Sequence, residues 1–147
     1  TVVSGMPKRP DIQHNGNGAF YRPRTDTVSL PGIQAFDSPQ EYYSTLFHEL
    51  THSTGHESRL NRHKQEGYAS HRFGSSDYSR EELVAEMGAA FMCGHCNTEN
   101  RTIDNSAAYI DGWRSRLGSD PRLVVTAAAQ AQRAADFIFG RDYTENE

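Results

Sequence analysis

The stretch FHELTHSTGH, Phe47 to His56, carries three histidines at intervals of four and a glutamate directly after the first. On an α-helix, positions four apart lie ~40° apart around the axis and ~6 Å along it. His48 and His52 therefore point the same way, close enough for both imidazoles to reach one ion at ~2.0–2.1 Å. Glu49 sits ~100° round from His48, beside such an ion rather than on it. Neutral imidazoles hold Zn²⁺ without cancelling its charge, so the ion can polarise a carbonyl and bring the pKa of a bound water from about 15.7 toward ~7. Glu49 is placed to take a proton from that water and hand it to a leaving amine, as general base and then general acid.

This is the H-E-x-x-H spacing of zinc peptidases, in which three protein ligands leave one position open. His56 continues the row, but Gly55 is expected to supply a left-handed stop to the helix before it. The longer metzincin pattern H-E-x-x-H-x-x-G-x-x-H finds its glycine at Gly55 and then Ser58 where its third histidine belongs, which excludes that arrangement. A better source of the third ligand is SREELVAEMGAAF, where Glu82 and Glu86 share a face continued by Ala89 and Cys93. Small residues let such a face approach a neighbouring helix, with Glu82 as ligand and Glu86 accepting from a ligand histidine N–H. Glu82 has a rival role, because with Ser79 as N-cap it stands at the capping-box position. A helix start at Ser76 or Asp77 frees it. Glu86 and then His56 follow as alternatives, and Glu81 reads as solvent-facing.

The elements that position these residues are legible from punctuation and period. Extended runs Asp11–His14, Ala19–Arg22 and Thr27–Leu30 are separated by NGNG and PRTD, both turn chemistry, and predict a small antiparallel sheet over about 11–30. SPQE, Ser38 to Glu41, announces the active-site helix over about 39–54, with Ser38 as cap, Pro39 at the first position and Glu41 in the capping box. From His56 to Ser76 a polar stretch without period reads as a long loop. Over residues 57–80, Arg59, Arg62, Lys64, Arg72 and Arg80 outnumber Glu57, Glu66 and Asp77 and read as solvated charge. The third-ligand helix follows at about 79–94, and C-terminal helices occupy about 105–139, one with Tyr109, Ile110, Trp113 and Leu117 as its apolar side. In the last, Val124, Ala128, Ala131, Ala135 and Ile138 recur at helical spacing. The fold class is α+β, one domain over residues 1–147.

Composition bounds the rest. The chain has 147 residues with 35% hydrophobic content, seven Phe, seven Tyr and one Trp, enough for one packed core. No apolar run approaches the ~18 residues that span a bilayer. The opening is polar and Pro-broken, so no secretory signal is expected there. Thr1 in place of Met points to a fragment or processed product. A net charge of −4 argues against nucleic-acid binding by bulk charge. Cys93 and Cys96 suit a reducing, cytoplasmic setting. With His95 they fall one ligand short of a second zinc site and follow a helix rather than a strand, so MCGHC reads as two ordinary thiols at a helix end. Tyr68, His71, Tyr78 and Tyr109 are alternative candidates to stabilise an oxyanion, with core or rim packing as the other role for the tyrosines. Thr27–Leu30 is the candidate sheet edge for an extended peptide substrate, with a purely structural strand as the alternative.

Taken together, GMPKRPDI, AFYRPRTDTVSLP, YYSTLFHELTHSTGH, EELVAEMGAAF, AAYIDGW and AAAQAQRAADFI resemble the C-terminal zincin-like domain of ArdC-type antirestriction proteins and their TraC-primase-like relatives. The resemblance spans about Gly5 to Phe139. It implies a gluzincin-type fold, metal ligands at His48, His52 and Glu82, and a catalytic Glu49. It also implies a home on plasmids, phages and other mobile elements, with DNA contacted only through a single-stranded-DNA-binding domain absent from this chain. The expected activity is zinc-dependent hydrolysis of a protein or peptide substrate. The rival expectation is a non-proteolytic DNA-protection or interaction module whose metal is mainly structural. A retained Glu49 weighs against that rival, since a purely structural site has no use for a spare carboxylate.

Overall fold

The computed structural model describes residues 2–65, 76–97 and 121–141, together with positions 112, 115 and 118. The expected helix over Ser106–Leu117 lies almost wholly outside the described residues. The fold is α+β: a three-stranded sheet against helices.

Strands β1 (Asp11–His14), β2 (Phe20–Arg22) and β3 (Thr27–Leu30) lie in the order β1-β3-β2. β2 runs antiparallel to β3, with Tyr21 opposite Val28, but β1 runs parallel to β3, with Ile12 opposite the same Val28. The sheet is therefore mixed rather than antiparallel, and β3 is its centre rather than its edge. Burial gives the reason. Val28 and Leu30 are fully buried and Ser29 nearly so, whereas β1 is largely exposed. The most apolar strand takes the position paired on both sides. Asn15, just past β1, accepts from the Ser29 hydroxyl and holds the crossing beside β3. In the β2–β3 turn Asp26 has φ 52°, a left-handed conformation that Asp tolerates.

Helix α1 (Pro39–Thr54) begins as its punctuation demands: Ser38 Oγ accepts from the Glu41 N–H at 3.2 Å, with Pro39 in the first turn. Tyr42, Leu46, Phe47 and Leu50 enter the main core with Val28 and Leu30. The buried hydroxyls of its last turns are satisfied inside the helix, Thr51 to Phe47 O, Ser53 to Leu50 O and Thr54 to Thr51 O. That satisfaction lets a polar Thr-His-Ser-Thr run be packed on nearly every side.

Gly55 does not turn left-handed; its φ of −74° and ψ of −9° are those of a right-handed helix. Glycine is needed there for space, because a Cβ would overlap the His63 imidazole. The chain folds back at this point, with His63 N–H donating to Gly55 O and Leu60 N–H to Thr54 O. It forms a short helix α2 (Arg62–Gln65) inside the stretch expected to be loop.

Helix α3 (Ser76–His95) starts three residues earlier than its expected Ser79. Ser76 and Asp77 suit a first turn, where the helix dipole favours an acid. Helix α4 (Pro121–Ile138) buries Ala127, Ala131, Ala134, Ala135 and Ile138, a face turned slightly from the expected one, with Ala128 only partly covered. α1 and α3 approach closely at Gly88, where a Cβ would stand 2.6 Å from Thr51 Cγ2.

Candidate metal centre

The close approach at Gly88 brings one face of α3 against the histidine face of α1. His48 Nε2 lies 3.4 Å from Glu82 Oε2, and His52 Nε2 lies 3.0 Å from Glu82 Oε1. Ligand-type atoms of His48, His52 and Glu82 all fall within 4.8 Å of one another, the one such group among the described residues. The far nitrogens are also occupied. His48 Nδ1 is 3.1 Å from Glu86 Oε1, and His52 Nδ1 is 3.2 Å from Glu81 Oε1. Each imidazole is thus held end to end between two carboxylates. With Ser76 starting α3, Glu82 stands well inside the helix, beyond the capping-box position.

Glu81 is the largest departure from the sequence reading. Its side chain is 1% exposed rather than solvent-facing. Arg62 clasps it with two bonds, Nε to Oε2 and Nη2 to Oε1, both 2.8 Å, and His63 Nε2 lies 3.3 Å from Oε1. The Arg59 and Arg62 side chains are buried too, so the basic cluster is not simply solvated charge. Arg59 forks onto Asp26 at 2.7 and 2.8 Å, and Asp26 accepts from the Tyr21 hydroxyl at 2.8 Å. The signal for Glu81 was its phase: it stands four and seven residues before Ala85 and Gly88, on the face that packs against α1. Nothing in the sequence marked Arg62, Arg59 or Asp26 as its neighbours' partners, because those pairings span 19 and 33 positions.

Electrostatics follow the geometry. Burial alone would lower the His48 and His52 pKa values, but Glu82 with Glu86 carries His48 up to about 10, and Glu81 with Glu82 carries His52 up to about 9. Burial pushes Glu82 upward, and the two histidines overcome it and hold its carboxyl low. Glu81, against still deeper burial, is held well below the usual range by Arg62 and His52. Glu49 moves the other way. It is 7% exposed, and burial raises its pKa against the pull of His52 and His48, with a bond from the Tyr21 backbone N–H. A carboxyl raised toward neutrality is suited to accept and then release a proton.

A cleft of about 420 Å³ opens over this group, walled by Ala19, Phe20 and Tyr21 of the β2 segment and by His48, Glu49 and Glu82. β2, an outer strand, borders the cleft.

His56 stands apart, its Nδ1 engaged with Ser58 at 2.8 Å. Tyr68, His71 and Tyr109, and the side chain of Tyr78, lie outside the described residues. Cys93 and Cys96 are free thiols; burial raises both pKa values, against a bond from Ser44 at Cys93. His95 packs on Phe139 and Arg141 instead.

A family model described as zincin-like metallopeptidase matches residues 7–130. The chain belongs to this family. Among relatives of this zincin-like domain, the uncharacterized protein y4eC of Sinorhizobium fredii is 38% identical over 139 residues, 93% of this chain and 44% of that protein. A DNA primase TraC of Escherichia coli is 42% identical over 120 residues, 82% of this chain but 11% of the primase. The Mn(II)-bound crystal structure of the antirestriction protein ArdC from plasmid R388 superposes with a TM-score of 0.71 at 38% identity, covering 92% of this chain and 49% of ArdC. Its metal-free form gives 0.70 at 39% identity, covering 90% and 46%. The chain spans less than half the length of each of these relatives. No helix among the described residues is long and apolar enough to cross a membrane.

Proposed function

We propose that this zincin-like domain is a zinc-dependent peptidase that acts in the cytoplasm as part of an antirestriction or other DNA-associated protein of a mobile element. His48, His52 and Glu82 are the ligands in this reading, and Glu49 is the general base. Around a tetrahedral ion with ligands at ~2.0–2.1 Å, donor atoms stand about 3.3–3.4 Å apart. Glu82 sets Oε1 at 3.0 Å from His52 Nε2 and Oε2 at 3.4 Å from His48 Nε2, so each imidazole has a carboxylate oxygen at about that span. Two imidazoles and a carboxylate, with one side open to a cleft, match the donor set of a catalytic rather than a closed structural zinc. When bound, the ion would polarise a carbonyl and acidify water.

The rest falls to the protein. Glu49 takes the proton of the attacking water and delivers it to the amine that leaves. The Tyr21 N–H orients the Glu49 carboxylate, and the Arg59–Asp26–Tyr21 chain holds that strand in place. β2 rather than β3 is the strand on which an extended peptide would lie, since it borders the cleft. The observation that carries this reading is Glu49 itself: a buried carboxyl, beside the three ligands but outside their group, with its pKa raised.

Glu49→Gln should retain the metal and lose cleavage, read as new protein N-termini in cells making wild type but not the variant. Equal cleavage by both proteins would sink the peptidase mechanism. The similarity to ArdC favours one second reading, a non-proteolytic antirestriction module. In that case Glu49→Gln protects DNA as well as wild type does.

A further inference from the structure

Glu81 and Arg62 form a buried ion pair that the proposed chemistry does not use. Replacing such a pair by packed apolar side chains is often neutral or stabilising, so stability alone is a weak reason for it. Its placement suggests another. Arg62 donates to both Glu81 oxygens on α3, to Thr54 Oγ1 at 3.1 Å and to Thr51 O at 3.0 Å. Those last two groups flank His52 on the final turns of α1. One guanidinium therefore fixes a carboxylate of the second helix relative to the turn of the first that bears the imidazole. The carboxylate oxygen it fixes is the one 3.2 Å from His52 Nδ1.

We propose that Glu81, clamped by Arg62, is the positioning residue that orients His52 and fixes its tautomer for metal binding. The inference rests on the metal-centre reading above. With the Nδ1 proton directed at Glu81, the Nε2 proton, which faces Glu82 and the cleft, is the one a bound ion would replace. The planar fork of Arg62 takes both Glu81 oxygens and so holds the carboxylate in one orientation against His52. His48 has a looser arrangement, since its partner Glu86 is 25% exposed. The clamp is built by the Gly55–Arg62 fold-back, which places Arg62 under the end of α1 through Leu60 N–H to Thr54 O and His63 N–H to Gly55 O.

The test is Zn²⁺ affinity by competition with a chromophoric chelator, for wild type, E81Q, R62M, the E81Q/R62M double variant and E86Q. Circular dichroism and thermal melts of the metal-free proteins accompany it. Partners of this kind are worth about 10–100-fold in affinity. E81Q and R62M should each weaken Zn²⁺ binding by about that factor while keeping the helical spectrum, and E86Q should weaken it less. The double variant should lose clearly less affinity than the sum of the two single losses, because Arg62 acts on His52 chiefly by holding Glu81. R62K, which keeps charge but loses the fork, should also bind more weakly than wild type, and it serves if R62M does not fold. Wild-type affinity in E81Q or R62K, or additive losses in the double variant, would overturn the inference alone. Absence of stoichiometric Zn²⁺ in wild type would instead overturn the metal-centre reading beneath it.

Discussion

The packing of α1 on α3 makes a sharp prediction at Gly88. In Gly88→Ala the new Cβ would stand 2.6 Å from both Thr51 Cγ2 and Thr51 Oγ1. An unstrained contact needs ~3.5–4.0 Å, so the two helices must separate by about 1 Å or rotate. Overpacking of this kind costs about 1–3 kcal/mol, while replacing a mid-helix glycine by alanine returns about 1 kcal/mol of helix propensity. The net loss of stability is therefore small, about 0–2 kcal/mol.

The effect on the proposed metal site is larger, because Glu82 and Glu86 ride on the helix that moves. Metal–ligand distances tolerate only ~0.2 Å. The expected result is a metal-free melting temperature near wild type and a loss of Zn²⁺ affinity of at least tenfold, measured by chelator competition. Thr51→Ala added to Gly88→Ala removes Cγ2 and Oγ1 and leaves Thr51 Cβ at 3.2 Å, a contact that a few tenths of an ångström relieve. That second change should restore most of the affinity. If Gly88→Ala binds Zn²⁺ as tightly as wild type, helix spacing does not set the ligand geometry and the reasoning fails.

Two further outcomes follow from the same structure. Glu82→Ala should leave the fold intact and strip stoichiometric metal from the purified protein, as read by elemental analysis; full metal content would move the third ligand elsewhere. For Asp26, burial would raise the pKa, but the Arg59 fork and the Tyr21 hydroxyl overcome it and hold the carboxyl below its usual value. A depressed carboxylate contributes stability that is complete above its unfolded pKa of ~3.9 and is lost as pH falls through the folded value. Asp26→Asn should therefore melt below wild type at neutral pH, and the gap should narrow on acidification below about pH 4. A gap independent of pH would show that the ion pair contributes nothing.

His48, Glu49 and His52 were legible because helical geometry alone relates positions within one turn, and Ser38, Pro39 and Glu41 told where that helix starts. The strands were legible as segments but not as a sheet: local pattern cannot say that β1 pairs in parallel across the chain with β3, a choice made by which strand is buried deepest. The residue type at Gly55 suggests a left-handed stop, whereas a neighbour eight positions on is what demands its missing Cβ.

What the sequence determined by itself is therefore the local half of the centre, two imidazoles and a carboxyl whose relative directions follow from the α-helical repeat. What only the tertiary structure decided is the half that depends on two helices meeting. The approach at Gly88 brings Glu82 and Glu86 to the histidines, and the fold-back carries Arg62 under α1 to turn Glu81 from an ordinary surface acid into a buried one. Helical phase is written in single residues, but burial and pairing are properties of the surfaces that close over them.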